Sequence, residues 1–121
     1  MKLQDAVVLI TGANRGIGLA FAEAALARGA RKVYAGARSP SSITIMGVVP
    51  VKLDVTSDQD VTAAARICTD VTLVINNAGI GKAGGLLNPE AVADARAQFD
   101  TNVFGILRMT QAFAPVLAKN G

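Results

Sequence analysis

Thr11-Gly-Ala-Asn-Arg-Gly-Ile-Gly18 places glycines at 12, 16 and 18, between an apolar run and an alanine- and leucine-rich one. A strand that ends in such a turn and reopens as a helix presents bare backbone N–H groups and the positive end of the helix dipole. Those are the groups that hold a pyrophosphate. Gly12 allows a sharp exit from the strand, Gly16 lets the backbone approach phosphate oxygens, and Gly18 lets the helix pack closely on the sheet. The spacing is a variant of GxGxxG, and three glycines alone make only a turn. The strand before and the helix after are what point to a dinucleotide. No Lys-Ser/Thr pair follows the glycines, so a Walker-type phosphate loop is excluded.

Other chemistries fall away on composition. The chain has no histidine and one cysteine, Cys68, which removes zinc sites and Ser-His or Cys-His catalysis. A lone cysteine makes no internal disulfide and fits a reducing cytoplasm; in its alanine-rich stretch Cys68 reads as core filler. The net charge of +3 is scattered, tryptophan is absent and aromatics are 4%. There is thus no stacking platform for single-stranded nucleic acid, and a small anion is the better partner. No apolar run approaches the ~20 residues of a membrane span, and Met1–Asp5 does not read as a secretory signal. No metal site is expected. The 121 residues allow one domain, and 51% hydrophobic against 17% charged residues rules out a disordered tail. So apolar a composition exceeds what a small soluble chain can bury, and part of the surface is expected to meet a partner.

The elements that must position the turn alternate strand and helix, the pattern of a parallel α/β sheet. Ala6–Ile10 reads as a buried central strand and Gly16–Arg28 as a helix stopped by Gly29. Lys32–Gly36 is a second strand, and Ser39–Gly47 shows no helical stripe. Val48–Leu53, carrying Pro50, is an edge strand. Ser57 and Asp60 form a capping box for a helix to about Ile67. Val71–Ile75 is a fourth strand. Asn88-Pro89-Glu90 supplies an N-cap, a proline at N1 and an acid, starting a helix that runs to Asn120 with a break near Asn102. The expected fold class is α/β: half of a doubly wound Rossmann sheet, parallel order 3-2-1-4 with flanking helices, in a single unit over residues 1–121.

TGANRGIG, LDVT (Leu53–Thr56), NNAG (Asn76–Gly79) and the Asn in FDTNVFG (Phe99–Gly105) together resemble the N-terminal half of short-chain dehydrogenases/reductases. Four motifs in the family's order cover nearly the whole chain. The resemblance implies that Thr11, Gly12, Asn14, Arg15, Gly16, Ile17 and Gly18 make the dinucleotide turn. Asp54 and Val55 hold the adenine, and Asn76, Asn77, Ala78 and Gly79 brace the sheet and line the cofactor. Asn102 corresponds to the family's active-site Asn, which keeps a helix kinked and binds a water of the proton relay.

An NAD-reading enzyme places an acid about 20 residues beyond the glycine turn to hold the ribose 2′-OH. Ala37 stands there, no acid occurs from Tyr34 to Leu53, and Arg38 and Ser39 follow. Arg38 and Arg15 are placed to clamp a 2′-phosphate through charge-assisted hydrogen bonds, as basic residues do in NADP-using relatives. The expected cofactor is NADP(H). The family's chemistry also needs a Ser and a Tyr-x-x-x-Lys pair. The only tyrosine is Tyr34, with Arg38 four residues on, and the family's fifth strand would begin beyond Gly121. The expected function is therefore the cofactor half of an NADP-dependent reductase, with hydride passing between NADPH and a carbonyl or alcohol in a whole enzyme and no turnover by this chain alone. The substrate loop would also lie beyond residue 121, and Gly79–Gly85 would sit near the nicotinamide. The rival reading is a half-fold, designed or isolated, that self-associates without cofactor function. Either way a homo-oligomer is expected, most simply a dimer through the strand 71–75 edge or helix 89–119.

Overall fold

The computed structural model describes residues 2–82 and 84–121; the readings that fall on Met1 and Ala83 lie outside the described residues. Four parallel strands, β1 (Val7–Ile10), β2 (Lys32–Ala37), β3 (Val49–Lys52) and β4 (Leu73–Ile75), form one sheet in the order β3-β2-β1-β4. Helix α1 (Gly16–Ala27) covers one face, and α2 (Asp58–Ile67) and α4 (Gly105–Asn120) cover the other. Helix α3 (Ala91–Phe99) joins α4 through a π-helical turn, Asp100–Phe104. The α/β half-sheet expected from the sequence is the observed architecture. No described helix is long and apolar enough to cross a membrane.

β1 shows why its sequence is apolar throughout. Val7 and Leu9 join the core beneath α2 and α4, with Tyr34, Leu53, Met109 and Phe113, whereas Val8 and Ile10 join Val33, Ala35, Ala22 and Ala25 beneath α1. A strand covered on both faces has no position for a polar residue. Pro50 is tolerated because β3 forms the edge, where a missing N–H breaks no ladder.

Local signals set most helix ends. α1 stops as expected: Gly29, at φ +83, donates its N–H to the Leu26 carbonyl, and Ala30 donates to Ala25, a Schellman closure. Between β2 and β3 there is only a single 3-10 turn, Pro40–Ser42. Ser57 Oγ accepts the Asp60 N–H at 3.1 Å, but the reciprocal half of the box is absent. Asp60, a methylene shorter than glutamate, instead accepts the Asp54 N–H at 3.0 Å and ties the end of β3 to α2. The start of α3 corrects the sequence reading. Asn88 Oδ1 does accept the Glu90 N–H at 2.9 Å, yet it closes a turn; the helix begins at Ala91, with Glu90 rather than Asn88 at the N-cap and Pro89 outside it. A side chain that bonds two residues ahead serves an isolated turn as well as a helix start.

At the N-terminal ends of the strands, Lys32 Nζ donates to Asp70 Oδ2 at 2.6 Å and the Tyr34 hydroxyl donates to Asp70 Oδ1 at 2.7 Å. Burial and the Asp70 bond raise the Tyr34 pKa, and the Asp70 bond raises that of Lys32. Burial opposes ionisation of Asp70, but the bonds from Lys32 and Tyr34 outweigh it and hold the carboxyl below its usual range. The depressed Asp70 contributes stability at neutral pH that is lost as pH falls through its folded value, under the ordinary 3.8. The raised Tyr34 and Lys32 contribute stability that is lost as pH rises above their ordinary 10.0 and 10.5. Asp70→Asn is therefore expected to melt below the parent across the neutral plateau, with the gap closing at both extremes. Melting curves from pH 2 to 11.5 check this, and a gap independent of pH would refute it. Burial pushes the neighbouring Cys68 thiol up to about 11, so Cys68 is core rather than nucleophile.

Candidate functional site: a cleft at the carboxyl ends of the strands

A cleft of about 760 Å³ opens where the chain leaves all four strands, the position at which open α/β sheets bind ligands. Its floor is the glycine turn (Gly12, Asn14, Arg15, Gly16, Ile17), and one end is Ala37, Arg38, Ser39 and Ser42. Asp54, Val55 and Thr56 form one wall, with Asn77, Ala78, Gly79 and Ile80 behind. Ala97, Asp100 and Thr101 close the far side.

The turn is shaped by long-range bonds. Thr11, 1% exposed, accepts the N–H groups of Asn77 and Ala78 on its hydroxyl at 3.0 and 2.9 Å. The Asn77 amide donates back to the carbonyls of Thr11 and Gly12 at 3.2 and 3.1 Å. A Cβ on Gly18 would lie 2.0 Å from the Gly12 oxygen and 2.5 Å from Asn77 Nδ2. Gly18 is thus glycine because the Asn77 side chain and the turn occupy its space. Thr11 and Gly18, read from the sequence as part of the phosphate turn, stand behind the cleft wall and shape it without lining it.

Gly16 is the opposite case. It has φ +57, and a Cβ there would meet nothing within 4 Å; the methyl would enter open space at the start of α1. The N–H groups of Gly16, Ile17 and Gly18 have no intrahelical acceptor, since the first helical bond is Leu19 N–H to Arg15 oxygen at 3.2 Å. Gly16 therefore leaves the space at the start of α1 open, and the free donors and positive helix dipole there suit a pyrophosphate.

Arg15 and Arg38 are both exposed, line the cleft, and form no ion pair among the described residues. Ser39 precedes the 3-10 turn without spending its hydroxyl on a cap; Ser42 Oγ instead donates to the Ser39 carbonyl at 2.6 Å. Asp54 lies at the end of β3. Burial would raise its pKa, but the Thr56 hydroxyl and N–H it accepts, at 2.7 and 2.9 Å, and the charges of Arg38 and Arg108 bring it below the usual range.

The chain matches the family profile described as short chain dehydrogenase over residues 6–121. The protein belongs to the short-chain dehydrogenase family. Among solved structures, a short-chain dehydrogenase from Burkholderia cenocepacia, in complex with NADP, is 44% identical with a TM-score of 0.95, covering 100% of this chain and 52% of that one. A family member from Burkholderia phymatum, in complex with NAD, is 32% identical with a TM-score of 0.83, covering 100% of this chain and 47% of that one. The short-chain dehydrogenase anuI of Penicillium roqueforti is 35% identical over 127 residues, covering 92% of this chain and 49% of its own length. The chain thus spans about half the length of these relatives.

By motif, Asn102 corresponds to the family's active-site Asn. It sits inside the π-helical turn, so the break read near it is present. It does not line the cleft. Its Oδ1 accepts the Ile80 N–H and its Nδ2 donates to the Ile80 carbonyl, both at 2.8 Å. The amide thus pairs with both backbone groups of one residue and ties the loop after β4 to the helix break. Tyr34, the only tyrosine, is buried in the Lys32–Asp70 cluster at the other end of the sheet and reaches no part of the cleft. Sequence reasoning missed Arg108, whose guanidinium joins Val55, Asp58 and Asp100. Its one readable signal is a charge placed between Leu107 and Met109 in an otherwise apolar stretch.

Proposed function

We infer that residues 1–121 are the dinucleotide-binding half of an NADP-dependent short-chain oxidoreductase. The observation that carries this is two exposed guanidiniums lining the cleft, Arg15 on its floor and Arg38 at its end, neither in an ion pair among the described residues, with Ala37 where an acid would be needed for NAD. Gly16 and the open N–H groups of α1 receive the pyrophosphate, Arg15, Arg38 and Ser39 take the 2′-phosphate, and Asp54 and Val55 flank the adenine. Asn77, Ala78 and Gly79 support the nicotinamide end, and Asn102 serves the proton relay by holding the helix break against Ile80. When bound, NADPH supplies a hydride for a carbonyl, or NADP accepts one from an alcohol. Within these residues no tyrosine reaches the cleft to donate the proton to the carbonyl oxygen. This chain is accordingly expected to bind cofactor without turning over substrate, in the reducing cytoplasm that suits a buried free thiol.

The outer edge of β4 and the apolar face of α3–α4 favour a second property, self-association into a two-fold dimer. Phe99, Phe104 and Leu107 are about half exposed there, and β4 is an unpaired edge. One set of samples tests both readings. NADPH at 100 times its dissociation constant is expected to add about 2.7 kcal/mol to unfolding and to raise the melting temperature more than NADH at equal concentration. Light scattering on the same samples is expected to give a dimer mass. A larger shift with NADH overturns the cofactor reading; a monodisperse monomer overturns the dimer.

A further inference from the structure

We propose that Arg108 is a positioning residue that sets the width of the cofactor cleft by locking its β3 wall to its helical wall. This rests on the cofactor reading above. The two walls come from distant segments: Val55 from the turn after β3, and Asp100 and Thr101 from the π-helical turn. Side chains on a helix tilt toward its N-terminus, so Arg108, in the first turn of α4, reaches back across that gap.

Four of its five N–H groups are used. Nη1 donates to the Val55 carbonyl and to the Asp100 carbonyl, both at 3.1 Å. Nη2 donates to Asp100 Oδ1 at 2.6 Å, and Nε to Asp58 Oδ1 at 3.1 Å. One planar group therefore bonds both walls and the start of α2. Gly105 brings the backbones close enough for this: a Cβ there would lie 2.7 Å from Val55 Cγ2. Without the fork, the Val55 carbonyl and the Asp100 carboxylate lose their common partner and the walls are joined only by van der Waals contact. A lysine keeps the charge but is a point donor on a flexible stem, unable to span these four acceptors.

The test uses Arg108→Lys and Arg108→Gln in the protein without cofactor, followed by NADPH titration. Amide hydrogen exchange is expected to accelerate at residues 55–57 and 101–105 in both variants, while β1 and β2 stay as protected as in the parent. NADPH affinity is expected to fall about tenfold, and 2′,5′-ADP affinity by the same factor, the loss of one charge-assisted bond's worth of alignment. Acceleration spread evenly over the sheet, or rescue of affinity by lysine, overturns the proposal. So does faster local exchange with unchanged affinity. If the parent itself binds no NADPH, the cofactor reading fails, while the exchange pattern still decides whether Arg108 locks the two walls.

Discussion

Gly18→Ala is expected to destabilise the protein by about 3 kcal/mol or more, at the top of the range for overpacking a tight site. The new methyl would sit 2.0 Å from the Gly12 carbonyl oxygen and 2.5 Å from Asn77 Nδ2. The first is backbone and the second is held by two hydrogen bonds, so neither swings aside as the end of a flexible chain would. Relief requires α1 to slide or Asn77 to leave, and if Asn77 leaves, the carbonyls of Thr11 and Gly12 lose their donor. A fall in melting temperature of roughly 10 °C follows for a domain of this size. Gly16→Ala separates stability from binding. Its methyl meets nothing, so the cost is the left-handed backbone at φ +57, about 1–2 kcal/mol. The methyl nevertheless takes up part of the open space at the start of α1 that the proposed pyrophosphate would use, and cofactor affinity is expected to fall. Calorimetric melting with NADPH titration reads both. A Gly18→Ala protein that melts with the parent, or a Gly16→Ala protein that still binds NADPH as tightly, would contradict this account of the turn.

Arg38→Glu is expected to reverse cofactor preference. Hydrogen bonds to a charged group are each worth about 1.5–3 kcal/mol, so losing the guanidinium weakens NADPH by roughly 10- to 100-fold before repulsion between the new carboxylate and the 2′-phosphate is added. The same carboxylate stands one residue past Ala37, within reach of a ribose 2′-OH, and NADH binding is expected to improve. Arg15→Ala weakens NADPH alone, because it removes a cation without supplying an acceptor. Arg38 makes no ion pair among the described residues, but its charge favours the nearby Asp54 carboxylate, so without cofactor Arg38→Glu is expected to melt slightly below the parent and Arg38→Ala to stay within about 2 °C of it. The proposed preference of the parent for NADPH is also expected to shrink as salt rises, since exposed charges are screened within about 10 Å at 0.1 M. Isothermal titration of both cofactors at two salt concentrations tests all of this. Retained NADPH preference in Arg38→Glu would mean that the 2′-phosphate lies elsewhere.

Much of the cleft was legible because its signals are local. Three glycines between a strand and a helix, Ala37 in place of an acid, and Arg38 beside it are readable from neighbours within a few residues. The chain places most of the expected residues along one cleft at the strand ends. The alternation of β1 between two cores was legible for a similar reason, since a period of two places successive side chains on opposite faces. The start of α3 was less so. Asn88-Pro89-Glu90 carries the chemistry of a helix cap, and an Asn side chain bonding two residues ahead satisfies a turn equally well.

What the sequence by itself determined is therefore the parallel α/β half-sheet, the family and the residues that floor the cleft. Backbone preference and periodicity are properties of short segments. Only the tertiary structure decided the separation of Thr11 and Gly18 from the residues that line the cleft, the engagement of Asn102 with Ile80, the capture of Tyr34 by Asp70, and the bonds that Arg108 makes to both walls. Each depends on partners far apart in the chain: Thr11 and Asn77 are 66 residues apart, and Arg108 and Val55 are 53 apart. Such contacts form only after the strands have paired in register. Whether a polar side chain lines a ligand site or holds one together depends on what that pairing brings beside it.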